Sequence, residues 1–235
     1  MNNHQEGRQE LKFLFPAGKK EAILDWLEAA FLPDPVYPFS RISSLYYDTP
    51  SFTLYHEKRS GDYLKTKVRL RWYGDLPPQN QGRNIICFFE VKQKTGSLCR
   101  KKRIELSVST ERLAADPFSD EGLINLPSSA VSPDYLPSGI LLPMLLVQYN
   151  RYRFVDPEGD AGIALDTEIR CTRLNETFLP GAAPVSTGAG VLEIKGRSGE
   201  APLSLRPVHV YLTKSEFSKY ARCLEHLTEP PGRSA

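Results

Sequence analysis

Residues 64–74 read Leu-Lys-Thr-Lys-Val-Arg-Leu-Arg-Trp-Tyr-Gly, and the spacing of charge there limits what the chain can fold into. Lys65, Lys67, Arg69 and Arg71 take every second position, with Val68, Leu70 and Trp72 between them. A helix would scatter these four cations around its circumference. A strand sends successive side chains to opposite faces, so the cations share one face and the apolar residues line the other. The same striping recurs along the chain. It appears in Glu90, Lys92 and Lys94, in Lys101, Arg103 and Glu105, and in Arg151 and Arg153 in step with Tyr149. Asp166, Glu168 and Arg170 alternate, as do Glu193, Lys195 and Arg197, and Arg8, Glu10 and Lys12 near the start.

Eight segments carry this period of two, at 8–15, 42–47, 64–73, 85–94, 100–108, 147–154, 162–171 and 191–196. Helical spacing is confined to 17–31, where Ile23, Leu24, Leu27 and Phe31 fall on one face before Pro33 and Pro35, and to 217–227 before Pro230 and Pro231. Stretches 76–83, 116–139 and 175–190 are rich in Pro, Gly, Ser or polar residues and read as connections. The pattern predicts a mainly β, α+β fold: one domain over residues 1–235, with antiparallel strands and few helices.

A charged stripe is ordinarily the wet face of a half-buried strand. Two features argue against that here. Solvent faces usually mix Ser, Thr, Gln and Asn with charge, whereas these are almost all Lys, Arg, Asp and Glu. The opposite faces are apolar and need a covering layer. Turning the charged faces inward and covering the outside with helices gives an eight-stranded antiparallel, tunnel-like β-barrel, wide enough for one small ligand. Cations confined in such a space need an anionic partner. The stripes hold more cations than acids, which points to a polyanion. Arginine offers paired, planar donors to phosphate and lysine a compact charge. Acidic side chains from other strands would then hold a hard cation through oxygen.

The whole-chain net charge of +2 excludes a broad nucleic-acid field, so the anion site is local. Trp72, Tyr73, Phe88 and Phe89 read as barrel wall and not as a base-stacking platform, so no nucleic-acid partner is expected. The longest apolar run, 140–147, contains Pro143 and falls far short of the ~20 residues of a membrane span. The polar N-terminus suggests no secretory signal. Cysteines 87, 99, 171 and 223 form no C-x-x-C pair and the histidines are dispersed, which favours a reducing cytoplasm and disfavours zinc. Asp48-Thr49-Pro50 reads as a turn, and Tyr46, Tyr47 and Tyr55 as packing.

Nine short motifs then follow one another in a familiar order. They are R-x-E-x-K at 8–12, ISSLYYDTP at 42–50, VRLRWYG at 68–74, FFEVKQK at 88–94 and K-x-R at 101–103. Y-x-R at 149–151, ALDTEIR at 164–170, VLEIKG at 191–196 and FSKY at 217–220 complete the set. Together they resemble the VTC (vacuolar transporter chaperone) domain of the CYTH, or triphosphate tunnel metalloenzyme, superfamily. The resemblance implies an enzyme, a polyphosphate polymerase-like phosphotransferase that uses Mn²⁺ or Mg²⁺, ATP or another triphosphate, and inorganic polyphosphate. It places the catalytic cations at Arg69, Arg71, Lys92, Arg151 and Lys195, and further phosphate contacts at Lys12, Lys65, Lys67, Lys101, Arg103 and Lys219. Metal binding falls on Glu193, with Asp166, Glu168 and Glu10. Where the wider superfamily has E-x-E-x-K, this chain has R-x-E-x-K, which removes one carboxylate. Triphosphate hydrolysis and non-catalytic polyphosphate binding are the competing expectations, and transport of a product across a membrane would require a membrane-protein partner.

Overall fold

A computed structural model describes residues 9–76, 82–96, 98–157, 161–197 and 199–228. Arg8, which opens the first stripe and the first motif, and the Pro230-Pro231 pair lie outside these residues, as does part of the 76–83 connection. In chain order the elements begin with β1 (Gln9–Pro16), α1 (Lys20–Ala30), β2 (Leu32–Pro33) and β3 (Phe39–Asp48). They continue with α2 (Thr53–Arg59), β4 (Leu64–Tyr73), β5 (Asn84–Thr95) and β6 (Leu98–Ser109). Three short helices follow, α3 (Thr110–Ala114), α4 (Glu121–Ile124) and α5 (Leu126–Ala130). The chain then forms β7 (Leu142–Val155), β8 (Gly162–Leu174), β9 (Val185–Ser186) and β10 (Ala189–Gly196). A 3-10 turn at Leu203–Tyr211, β11 (Thr213–Lys214) and α6 (Lys219–Thr228) complete it.

The chain divides into two compact units. The first comprises Met1–Arg41, Tyr149–Ile169 and Ser186–Ser218. In it β1 lies antiparallel between β10 and β11, with Glu10 opposite Lys195 and Lys12 opposite Glu193. On its other side β10 pairs with β8, placing Val191 opposite Asp166. The predicted apolar stripe of α1 is buried, Ile23 and Leu27 completely, in a core with Phe13, Phe15, Leu165, Leu192 and Ile194. The Phe15 ring occupies the space above Gly190, where any Cβ would collide with it. Trp26 Nε1 donates to the Ser204 carbonyl at 2.7 Å and pins the 3-10 turn to α1.

The second unit comprises Ile42–Gln148, Arg170–Val185 and Lys219–Ala235. Here β3, β4, β5 and β6 form a consecutive antiparallel meander. Val68, Leu70 and Trp72 of β4 and Cys87, Phe89 and Val91 of β5 bury one face, as alternation requires, in a core with Leu113, Leu123 and Leu146. Tyr47 reaches through that core, and its hydroxyl donates to the Leu123 carbonyl at 2.9 Å.

All eight expected strands are present, in a mainly antiparallel β structure with flanking helices. Among the described residues β6 pairs only with β5, and β11 only with β1, so the strand order ends in two open edges and not in a closed ring. A period of two fixes which residues share a face. It carries no information about which strand meets which, and closure depends on that. The 116–139 connection carries α4, α5 and a 3-10 turn, and α2 had no sequence signal. The N-cap of α2, Phe52, sits in left-handed backbone at φ 56° with no side-chain cap of its own. Asp48, beyond the turn, caps the helix instead, accepting from Leu54 N and Tyr55 N at 2.8 and 3.0 Å.

Candidate functional site

In the second unit the charged stripes of β4, β5 and β6 share a face, and the register arranges them in ranks across the three strands. The ranks are Lys65–Lys94–Cys99, Lys67–Lys92–Lys101, Arg69–Glu90–Arg103 and Arg71–Phe88–Glu105. Neighbouring strands lie about 4.8 Å apart and successive ranks roughly 7 Å apart. The result is a grid of cations with one carboxylate at its centre.

That carboxylate is Glu90, 3% exposed. Arg69 Nε and Nη2 reach its Oε2 at 2.8 and 2.7 Å, and Arg71 Nη1 approaches at 3.8 Å. Lys101 Nζ and Arg103 Nε approach Oε1 at 3.5 and 3.7 Å. Burial pushes the Glu90 pKa up, but Arg69, Arg71 and Lys101 outweigh it and pull it down to about 2. Lys101 responds in the opposite sense. Burial lowers its pKa, Glu90 resists, and Arg103, Arg69 and Arg71 lower it further. The Arg103 guanidinium lies 3.8 Å from the Phe88 ring centre, and Arg71 Nε donates to Ser44 Oγ at 3.4 Å. Arg69 Nη1 donates to Tyr46 Oη at 3.3 Å. Lys219, buried at the start of α6, belongs to this unit as well.

The first unit holds the other predicted residues around an arginine. Arg151 Nε and Nη2 donate to Asp166 Oδ1 and Oδ2, each at 2.6 Å, and Nη2 also donates to Glu193 Oε2 at 3.0 Å. Asp166 is wholly buried. Burial lowers the Arg151 pKa, yet Asp166 and Glu193 hold it well above the ordinary arginine value. Lys12 Nζ sits 3.5 Å from Glu10 and 3.7 Å from Glu193, and Lys195 Nζ 3.5 Å from Glu10. The cross-strand pairs of β1 and β10 account for this proximity.

Glu168 was expected to share the face of Asp166, and the backbone breaks that pattern. Pairing of β8 with β10 ends at Asp166, and Glu168 adopts φ 54° before Thr187 N bonds the Ile169 carbonyl at 3.0 Å. A left-handed residue interrupts the alternation of faces. Glu168 consequently meets Lys20 Nζ and Asn150 Nδ2, each at 3.1 Å, while Asp166 meets Arg151. The Glu168 hydrogen bond raises the Lys20 pKa. Among the described residues no three His, Cys, Asp or Glu side chains come together as a metal-ligating group. Asp166 accepts two hydrogen bonds here from Arg151.

Two contributors escaped the sequence reading. Glu90 was visible only as one member of a stripe, although its place opposite Arg69 and Arg103 makes it the hub of the grid. Tyr46 is buried, as its packing role requires, and also touches Arg69.

Residues 7–228 match the family model described as the VTC domain. Among solved structures, the chain is similar to a protein from Vibrio parahaemolyticus provisionally named an adenylate cyclase. Identity is 15% over 94% of this chain and 99% of that one, with a TM-score of 0.45. A Bacillus halodurans protein provisionally named in the same way shows 17% identity over 87% of this chain and 90% of the other, with a TM-score of 0.46. No curated protein matches. Since the family match spans nearly the whole chain and includes every motif and both charged clusters, this chain belongs to the VTC domain family.

Proposed function

We propose that the protein is a phosphotransferase that moves the γ-phosphate of a nucleoside triphosphate, ATP in the first instance, onto the end of an inorganic polyphosphate chain. The observation that supports this reading is the rank Lys67–Lys92–Lys101, three lysines directly opposite one another on adjacent strands. Like charges so placed destabilise a sheet by roughly 0.2–1 kcal/mol per pair. A sheet that keeps them is suited to an anion with regularly repeated charge. The next rank adds Arg69 and Arg103, whose forked donors match phosphate oxygens, and Glu90 holds Arg69 in place without neutralising the whole group. Phosphoryl transfer asks little covalent chemistry of a protein and depends on positioning and charge neutralisation. Arg69, Arg71, Lys92, Lys101 and Arg103 supply both in this unit, with Lys65, Lys67 and Lys219 as further cations.

In the first unit, Lys12, Arg151 and Lys195 provide cations beside Glu10 and Glu193. Enzymes of the tunnel fold use divalent metal ions. Mg²⁺ or Mn²⁺ that arrives on phosphate oxygens keeps several of its waters and takes only one or two carboxylates. When bound, the metal neutralises phosphate charge. Glu193 and Glu10 are the residues that would hold it, and Asp166 acts by fixing Arg151. The four free cysteines agree with a reducing compartment such as the cytoplasm. Among the described residues no helix is long and apolar enough to cross a membrane. Export of the product through a membrane-protein partner belongs to the same proposal.

Incubation with ATP and Mn²⁺, followed by gel analysis of chain length, tests the reading. Long polyphosphate is the expected product, with Arg69→Ala slowed at least about 10²-fold while folded. Orthophosphate alone identifies a triphosphatase, and tripolyphosphate binding without turnover identifies a binding module.

A further inference from the structure

The C-terminal helix is wired to Arg69 through two tyrosines. Asp48, wholly buried at the end of β3, accepts from Thr49 N at 2.7 Å and Leu54 N at 2.8 Å on Oδ1. Its Oδ2 accepts from Tyr55 N at 3.0 Å and from the Tyr220 hydroxyl at 2.8 Å. Tyr220 lies in the first turn of α6, 172 residues further along the chain. Its ring stacks on that of Tyr46, with centroids 5.4 Å apart and planes at 28°. The Tyr46 hydroxyl in turn accepts from Arg69 Nη1 at 3.3 Å.

Arg69 is thus gripped from two sides that do different things. Glu90 binds Nε and Nη2 and offsets charge. Tyr46 binds Nη1 through a neutral oxygen, which fixes the plane of the guanidinium and leaves its charge intact. Tyr46 is 4% exposed and Tyr220 6%, so the stack has little freedom of its own. Its position is inherited from Asp48, which four donors hold rigidly. Burial, the Asp48 charge and the hydrogen bond to it keep the Tyr220 phenol far above its ordinary pKa, so it remains a donor across the working pH range.

We propose that Tyr46 and Tyr220 are positioning residues for Arg69, so that docking of the C-terminal helix sets the affinity of the grid for triphosphate. The proposal rests on the phosphate-binding reading above. It adds a control point to that reading: any event that lifts α6 from Asp48 releases Arg69.

The test is calorimetric titration of the full chain with inorganic tripolyphosphate, alongside thermal unfolding of each variant. Tyr46→Phe removes only the bond to Arg69 and weakens binding about five- to tenfold. Tyr220→Phe keeps the stacked ring, loses the bond to Asp48 and weakens binding about threefold. Adding Tyr220→Phe to Tyr46→Phe produces no further loss, because the path to Arg69 is already cut. A merely structural role predicts lower unfolding temperatures with unchanged affinity in the folded state, and that result overturns the proposal. Additive losses in the double variant also overturn it. Wild-type protein that binds no tripolyphosphate overturns the phosphate reading itself, and the relay with it. Wild-type binding preserved by every variant overturns the relay alone.

Discussion

The two charged clusters are built from the same residue types with opposite balance. Around Glu90, one buried carboxylate faces Arg69, Arg71, Lys101 and Arg103, with Lys67 and Lys92 in the rank of Lys101. Around Arg151, one guanidinium faces Asp166 and Glu193, while Lys12 and Lys195 meet Glu10 and Glu193. In the first cluster cations outnumber the carboxylates that share their ranks. The second is close to neutral, and its buried pair holds itself in place. Charge stripes of identical appearance in the sequence therefore differ in balance once folded, and what separates them is how many opposite charges the register places opposite them.

The largest expected effect breaks the balanced side of this comparison. Asp166→Ala leaves the largely covered Arg151 without its bidentate partner and should cost roughly 3–5 kcal/mol of stability, measured by urea unfolding. A loss below about 1 kcal/mol would show that the clamp is dispensable.

Acid titration sharpens the unbalanced side. The folded-state pKa of Glu90 is about 2 against an ordinary 4.5, so its contribution is fully present above the ordinary value and is lost as pH falls through about 2. A shift of that size corresponds to roughly 3 kcal/mol, and the side chain is only 4% exposed, so solvent screening is small. Wild-type stability should fall toward that of Glu90→Gln as pH drops from 5 to 2. Parallel curves for the two proteins would rule out Glu90 as the charge hub.

The smallest effect has two signs. Lys92→Ala removes the middle lysine of its rank, and stability without ligand should rise by roughly 0.2–1 kcal/mol. Tripolyphosphate affinity should fall about tenfold, as expected for one charged hydrogen bond. A variant that loses both stability and affinity would mean that Lys92 is a structural residue.

The strands and their two faces were legible because alternation survives any tertiary context: Val68, Leu70 and Trp72 are buried and Lys65, Lys67 and Arg69 lie opposite them, as spacing alone required. The ranks were not legible, since which lysine stands opposite which depends on turn lengths that the stripes do not encode. Glu168 escaped for a different reason. One left-handed residue changes the face of everything after it, and no residue type announces that conformation in a glutamate. The Asp48–Tyr220 bond joins residues too distant in sequence for any local pattern to reveal, and Asp48 looked complete as a turn residue.

The first rank ends in a cysteine, and this makes the grid addressable by simple chemistry. Cys99 is exposed opposite Lys94, whereas Cys87, Cys171 and Cys223 are buried. Burial pushes the Cys87 and Cys171 thiols up to about 12 and that of Cys223 higher still, which withholds the thiolate needed for alkylation. A maleimide dye added to the native protein would attach at Cys99 first and sit one rank, roughly 7 Å, from the lysines of the next. The fold thus carries its own labelling site, placed where a fluorescence change would test the proposed anion binding without a single engineered residue.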